Sequence, residues 1–188
     1  MTKRDRGTRV SDEPWSHLAQ RIADALRPHL PDVAPDEEGR HDSYVTGLSG
    51  PRKLDVTIST RRHGLELGIT ILSVREHVDV VRVEDALRRE AEDLHGRQPH
   101  AVLVAYVVIE RPLRDATAPS PEVEAIARVL APRTRRRRVH VDHGVFEHVF
   151  VCLREEEGTF LDVAAAKRLS FSDTLGIVRA THRLRNER

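Results

Sequence analysis

The chain has 188 residues, 31 Lys plus Arg against 30 Asp plus Glu, a net charge of +1 and a mean hydropathy of −0.47. A chain of this length can bury roughly 70% of its unfolded surface, so one domain with a real core is expected, while the lone Cys152 excludes a disulfide scaffold and points to a reducing, cytoplasmic setting. Near-balanced charge excludes coating of nucleic acid by bulk charge, and the longest apolar run, residues 101–109, is far short of the ~20 residues of a membrane span.

Residues 1–10 have no apolar periodicity and read as a disordered basic arm, charged throughout and unlike a signal peptide. Residues 11–188 read as a single domain. Ser11 or Asp12 can cap a first helix with Pro14 in its first turn, and Trp15, Leu18, Ile22, Leu26 and Leu30 form one apolar stripe. Residues 31–50 are rich in Pro, Gly, Asp and Glu and read as a loop holding a short strand at 43–48.

The period then changes to two. Residues 53–60 alternate, with Leu54, Val56 and Ile58 on one face and Lys53, Asp55, Thr57 and Ser59 on the other. After a turn ending at Gly64, residues 65–74 alternate again, with Leu65, Leu67, Ile69 and Ile71 sharing a face, so a β-hairpin is expected. Val83, Leu87, Ala91 and Leu94 mark a second helix, 101–110 a central strand buried on both faces, and Ser120-Pro121 the start of a third helix. Strands at 145–153 and 159–163 and a helix at 172–183 complete the chain. The class is α/β (α+β), a mixed central sheet with a hairpin, flanked by helices.

Most familiar chemistries fail on inspection. Gly47-Leu-Ser-Gly50 lacks the Lys-Ser/Thr of a phosphate loop, and one Cys with scattered His gives no zinc spacing. His140 and His143 read as loop histidines and Cys152 as a buried small hydrophobe. The polar hairpin face is different, because a carboxylate beside Lys on a sheet can hold a divalent metal next to a phosphodiester. Five guanidinium groups in six residues, Arg133 and Arg135, Arg136, Arg137 and Arg138, make a candidate phosphate-binding run. Arg enrichment alone carries little weight, since Lys3, Lys53 and Lys167 are the only Lys among the 31 basic residues.

The segment KLDVTISTRRHGLELGITILSV, followed by RREAEDLHGRQPHAVLVAYVVIE and later by VFEHVFVCL and TFLDV, resembles restriction-endonuclease-like proteins of the PD-(D/E)xK superfamily over residues 50–163. The resemblance implies a restriction-endonuclease-like core, DNA as partner, and Mg²⁺ or Mn²⁺ held by an Asp on one core strand and an acidic-x-Lys triplet on the next. Asp55 matches the first position, as catalytic residue and metal ligand. A turn centred on Arg62 and His63 sets Thr70 opposite Asp55 and Leu72 opposite Lys53, so the triplet reads Thr70-Ile71-Leu72, without the acid or the Lys.

Lys53 is the candidate displaced catalytic Lys. Glu66 is the substitute acid nearest in sequence but lies about 13 Å along the strand from Thr70. Glu13, Asp24, Asp36, Glu37, Glu38 and Asp42 are the other candidates for the missing acid. Two functional readings stay open: a weak Mg²⁺-dependent phosphodiester hydrolase, and a catalytically inactive nuclease-fold protein serving as a nucleic-acid-binding or assembly subunit. A homodimer and a larger protein complex stay open likewise.

Overall fold

A computed structural model describes residues 16–30, 32–37, 44–61, 63–74, 79–109, 121–154 and 159–186. The basic arm, Trp15 and the Ser11 or Asp12 cap lie outside the described residues, as do Glu13, Glu38 and Asp42. Helix α1 spans Ser16–Leu26, and Leu18, Ile22 and Leu26 of the expected stripe are fully buried.

Short strands β1 (Val33–Ala34), β2 (Tyr44–Thr46) and β3 (Pro51–Lys53) precede the hairpin of β4 (Val56–Thr60) and β5 (Gly64–Val74). Helix α2 (Asp79–Arg97), strand β6 (Val102–Ile109), helix α3 (Pro121–Leu130), strands β7 (His148–Arg154), β8 (Thr159–Asp162) and β9 (Lys167–Ser170), and helix α4 (Phe171–Asn186) follow. Seven strands form one mixed sheet in the order β1-β4-β5-β6-β7-β8-β9, and β2 and β3 pair separately. The central pairs β5–β6 and β6–β7 are parallel; the flanking pairs are antiparallel.

Helices cover both faces. On one side Leu87, Ala91 and Leu94 of α2 and Val123, Ile126 and Leu130 of α3 pack on Leu103, Ala105 and Val107. On the other, Leu18 and Ile22 of α1 and Leu175 and Val178 of α4 pack on Val104, Tyr106 and Val108. This accounts for the uninterrupted apolar run of β6, whose side chains enter the two cores alternately. Among the described residues no helix is long and apolar enough to cross a membrane.

The hairpin forms as its alternation predicts, with Gly64 at φ 70° in the turn, where a side chain would be strained. Two details differ. The expected strand 53–60 is broken: Lys53 ends β3, the chain bends at Leu54 and Asp55, and β4 begins at Val56. Leu54 therefore enters the α2 side of the core while Val56 and Ile58 enter the α1 side. In addition, Ile58 pairs with Leu67 but Ser59 with Leu65, so Glu66 is an extra residue in a β-bulge. That insertion turns Leu65 to the α2 side, away from Leu67, Ile69 and Ile71.

Candidate functional site

The face carrying Thr57 and Thr70 is not solvated. Thr57 is 1% exposed and Thr70 6%, and α2 packs against β5 on this face. The turn closes with Gly64 opposite Thr60 rather than Arg61, one residue off the expected register, and the bulge at Glu66 offsets this, so that Val56↔Ile69, Thr57↔Gly68 and Ile58↔Leu67 lead to Asp55 facing Thr70 as expected. At the bend, the Asp55 N–H donates to the Ile69 carbonyl at 3.0 Å, and the Asp55 carboxylate accepts the Ile71 N–H at Oδ2, 2.6 Å away. The side chain thus prolongs the ladder where the strand backbone has already turned aside.

The second carboxylate at this point comes from α2. Glu90 sits seven residues after Val83 and three after Leu87, at the edge of the buried stripe, and its Oε1 is out of solvent contact with no hydrogen-bond partner among the described residues. Burial and the neighbouring charge of Asp55 push its pKa up to about 7, against the pull of the Thr70 hydroxyl and of Arg52. Three residues on, buried Asp93 accepts the Ser49 N–H at Oδ1 (2.6 Å) and Arg52 Nε at Oδ2 (2.8 Å). Burial raises the Asp93 carboxyl, but these bonds outweigh it and hold it below the ordinary range. Gly47 permits this approach, since a Cβ there would fall 2.0 Å from Asp93 Oδ2.

The site therefore joins Asp55, Thr70 and Glu90, with Asp93 and Arg52 at one side. A hard divalent cation fits an unpartnered carboxylate oxygen beside a second carboxylate. Among the described residues no group of three or more His, Cys, Asp or Glu is arranged to hold a metal ion; Asp55 and Glu90 are the two carboxylates here that could meet a cation.

Other sequence candidates fall elsewhere. Lys53, exposed on β3 opposite Tyr44, belongs to the two-stranded sheet and shares no strand with Asp55; the base turned toward the carboxylates is Arg52. Glu66 accepts the Thr60 hydroxyl at 2.8 Å and lies 3.3 Å from His182 Nε2 of α4, on the far face of the sheet from α2. Asp24 is exposed on α1, paired with Arg27, also on that far face. Glu37 is exposed in the loop beyond α1, and Gln20 Nε2 donates to the Asp36 carbonyl at 2.9 Å.

The arginine run divides. Arg133 pairs with Glu84 at 2.5 Å, and Arg136, 6% exposed, reaches Glu147 at 3.3 Å and the Val139 carbonyl. Arg138 pairs with Asp142, and Arg135 and Arg137 are exposed. If duplex DNA binds here, the three exposed residues, at about 0.9 per neutralised phosphate, would give a log-log salt slope near −3 rather than the steeper slope near −4.5 of all five. Replacing Arg135, Arg137 and Arg138 with Gln should remove that share when binding is measured across a salt series. His140 meets His100 edge-on and the His143 carbonyl faces His95, while Cys152 is buried in β7.

Neither composition nor motif spacing singles out Glu90, Asp93 or Glu147. For Glu90 a signal does exist in the sequence, a carboxylate on the apolar edge of an amphipathic helix. No family model, curated protein or solved structure matches this chain.

Proposed function

We propose that this is a DNA-acting protein of the restriction-endonuclease-like class, in which Asp55 and Glu90 hold Mg²⁺ or Mn²⁺ for weak phosphodiester hydrolysis. The observation that carries the reading is the buried, unpartnered Oε1 of Glu90 beside Asp55. It is supported by the element order, in which the β4–β5 hairpin is followed by α2 and by β6, parallel to β5. Glu90 supplies from the helix an acid that Thr70 does not supply from the strand.

Each residue then has a role. Asp55 is held in place by the Ile71 N–H, which fixes its carboxylate at the strand break. Glu90, with its high pKa, gives up its proton when a cation arrives. Arg52, its side chain about half exposed and oriented by Asp93, supplies positive charge for a phosphate. A bound metal supplies Lewis acidity and a water of lowered pKa.

The test is cleavage of linear, supercoiled and single-stranded DNA over a Mg²⁺ and Mn²⁺ series. Asp55→Asn and Glu90→Gln each lower the rate about 100-fold or more, on the order of the several kcal/mol of charge stabilisation a metal supplies, with the fold retained. Lys53→Ala reads whatever share Lys53 has. Leu72 in place of Lys favours the second reading, the inactive nuclease-fold subunit, and DNA bound but left uncut by the wild type establishes it.

A further inference from the structure

The ribbon of β2 and β3 turns one face to the fold and the other to solvent. Residues that face each other across an antiparallel pair share a side, so Tyr44↔Lys53 and Thr46↔Pro51 lie on one face and Val45↔Arg52 on the other. The inner face is fixed. Val45 is buried in the α2-side core, and Arg52 Nε donates to Asp93 Oδ2. The turn is held as well, since the Leu48 N–H donates to the Asp93 carbonyl at 3.1 Å and the Ser49 N–H to the Asp93 carboxylate. Asp93 is about one turn of α2 beyond Glu90, so the ribbon is fastened to the helix that carries the second carboxylate.

The outer face packs differently. Tyr44 is 69% exposed, and Thr46, Pro51 and Lys53 are exposed with it. Single exposed apolar residues are ordinary, but of the Phe, Tyr and Trp side chains among the described residues Tyr44 alone is exposed, and Leu48, also exposed, stands on the turn of the same ribbon. Residues 44–53 carry two basic residues and no acidic one, in a chain whose charges nearly cancel. A rigidly mounted ring with an ammonium group across the strand suits a nucleic-acid strand, because a π-face stacks on any base and the Lys neutralises the backbone beside it. A paired base has both faces covered by its neighbours, so the occupant is a single strand rather than a duplex.

The ribbon is also close enough to the carboxylates. Lys53 and Asp55 are two residues apart, at most about 7 Å between Cα atoms, and facing residues lie about 4.5–5.5 Å apart, so the Tyr44 and Asp55 Cα atoms are within about 13 Å. At a rise of about 3.4 Å per stacked nucleotide, that is roughly four nucleotides or fewer. We propose that the outer face of the ribbon is a stacking platform for single-stranded nucleic acid, where Tyr44 stacks on an unpaired base and Lys53 meets an adjoining phosphate, a few nucleotides from Asp55 and Glu90. The proposal rests on the reading of the protein as DNA-acting, and it names the substrate as a strand with unpaired bases.

The experiment measures binding of a labelled dodecathymidylate and of a labelled duplex of the same length by fluorescence anisotropy, in EDTA. The wild type should bind the single strand with Kd of about 100 μM or tighter at low salt. Tyr44→Ala should weaken that binding at least about fivefold, as loss of one base–aromatic stack requires, whereas Tyr44→Phe keeps the ring and should match the wild type. Duplex binding and Tm should be the same in all three proteins. Cleavage in Mn²⁺ is read separately. Tyr44-dependent binding by a wild type that leaves DNA uncut refutes hydrolysis and supports the platform; cleavage with single-strand binding undiminished in Tyr44→Ala overturns the platform and leaves hydrolysis standing. The platform is likewise overturned by a wild type that does not saturate with the single strand, by equal losses on single strand and duplex in Tyr44→Ala, or by a loss as large in Tyr44→Phe.

Discussion

Glu147→Ala should lower the unfolding free energy by about 3–5 kcal/mol, the cost of leaving a buried charge without its partner. Glu147 is 4% exposed at the entrance to β7. Its Oε2 accepts the Leu103 N–H at 2.8 Å, and its Oε1 accepts Arg136 at 3.3 Å and Arg185 at 3.1 Å. His95 Nε2 of α2 lies 3.6 Å away. One carboxylate thus ties α2, β6, the arginine run and the end of α4. Burial raises its pKa, but His95, the Leu103 N–H and Arg136 prevail and hold it below the ordinary range.

Removing it strands the Arg136 guanidinium, whose side chain is fully buried, without its counter-charge. For a chain of this size the loss should appear as a fall in Tm of about 10 °C or more in thermal denaturation. Glu147→Gln, which keeps an acceptor and the volume, should lose less. Because the folded pKa is depressed, the stabilisation is present above the unfolded value and disappears as pH falls through the folded one, so the two variants should converge on the wild type in acid.

The second large effect is of opposite sign. Glu90 has a folded pKa of about 7 against an ordinary 4.5. The unfolded chain therefore ionises first, and wild-type stability falls as pH rises from about 4.5 to 7, by up to about 3 kcal/mol in total. Glu90→Gln should remove this slope: little difference from the wild type near pH 5, and greater stability than the wild type near pH 8. Urea denaturation at the two pH values in EDTA measures it, and parallel profiles for the two proteins would show that Glu90 ionises normally.

The hairpin and the two cores are legible in the sequence because alternation fixes which residues share a face, whereas Asp55 comes to face Thr70 because the bulge at Glu66 offsets a turn that closes one residue off the expected register. The break at Leu54 and Asp55 and the bulge at Glu66 are not legible, since each shifts the pattern by one residue without changing which residues are apolar. Strand β9, Lys-Arg-Leu-Ser, is a charged edge strand with no alternation to betray it. The arginine run is uniform in sequence because nothing local distinguishes Arg136 from Arg137; only Glu147, eleven residues beyond Arg136, draws the former inside. Likewise, sequence proximity points to α1 and the loop after it for the carboxylate that meets Asp55, whereas α2 packs over that face of the sheet and brings Glu90 there.

The proposed cation site is tested most directly by calorimetric titration of Mn²⁺ into the metal-stripped chain near pH 6.5, in two buffers of different ionisation enthalpy. If Asp55 and Glu90 form the site, binding is saturable, releases most of one proton as Glu90 ionises, and is lost in both Asp55→Asn and Glu90→Gln. Absence of saturable heat in the folded wild type, or binding that survives both substitutions, would contradict it.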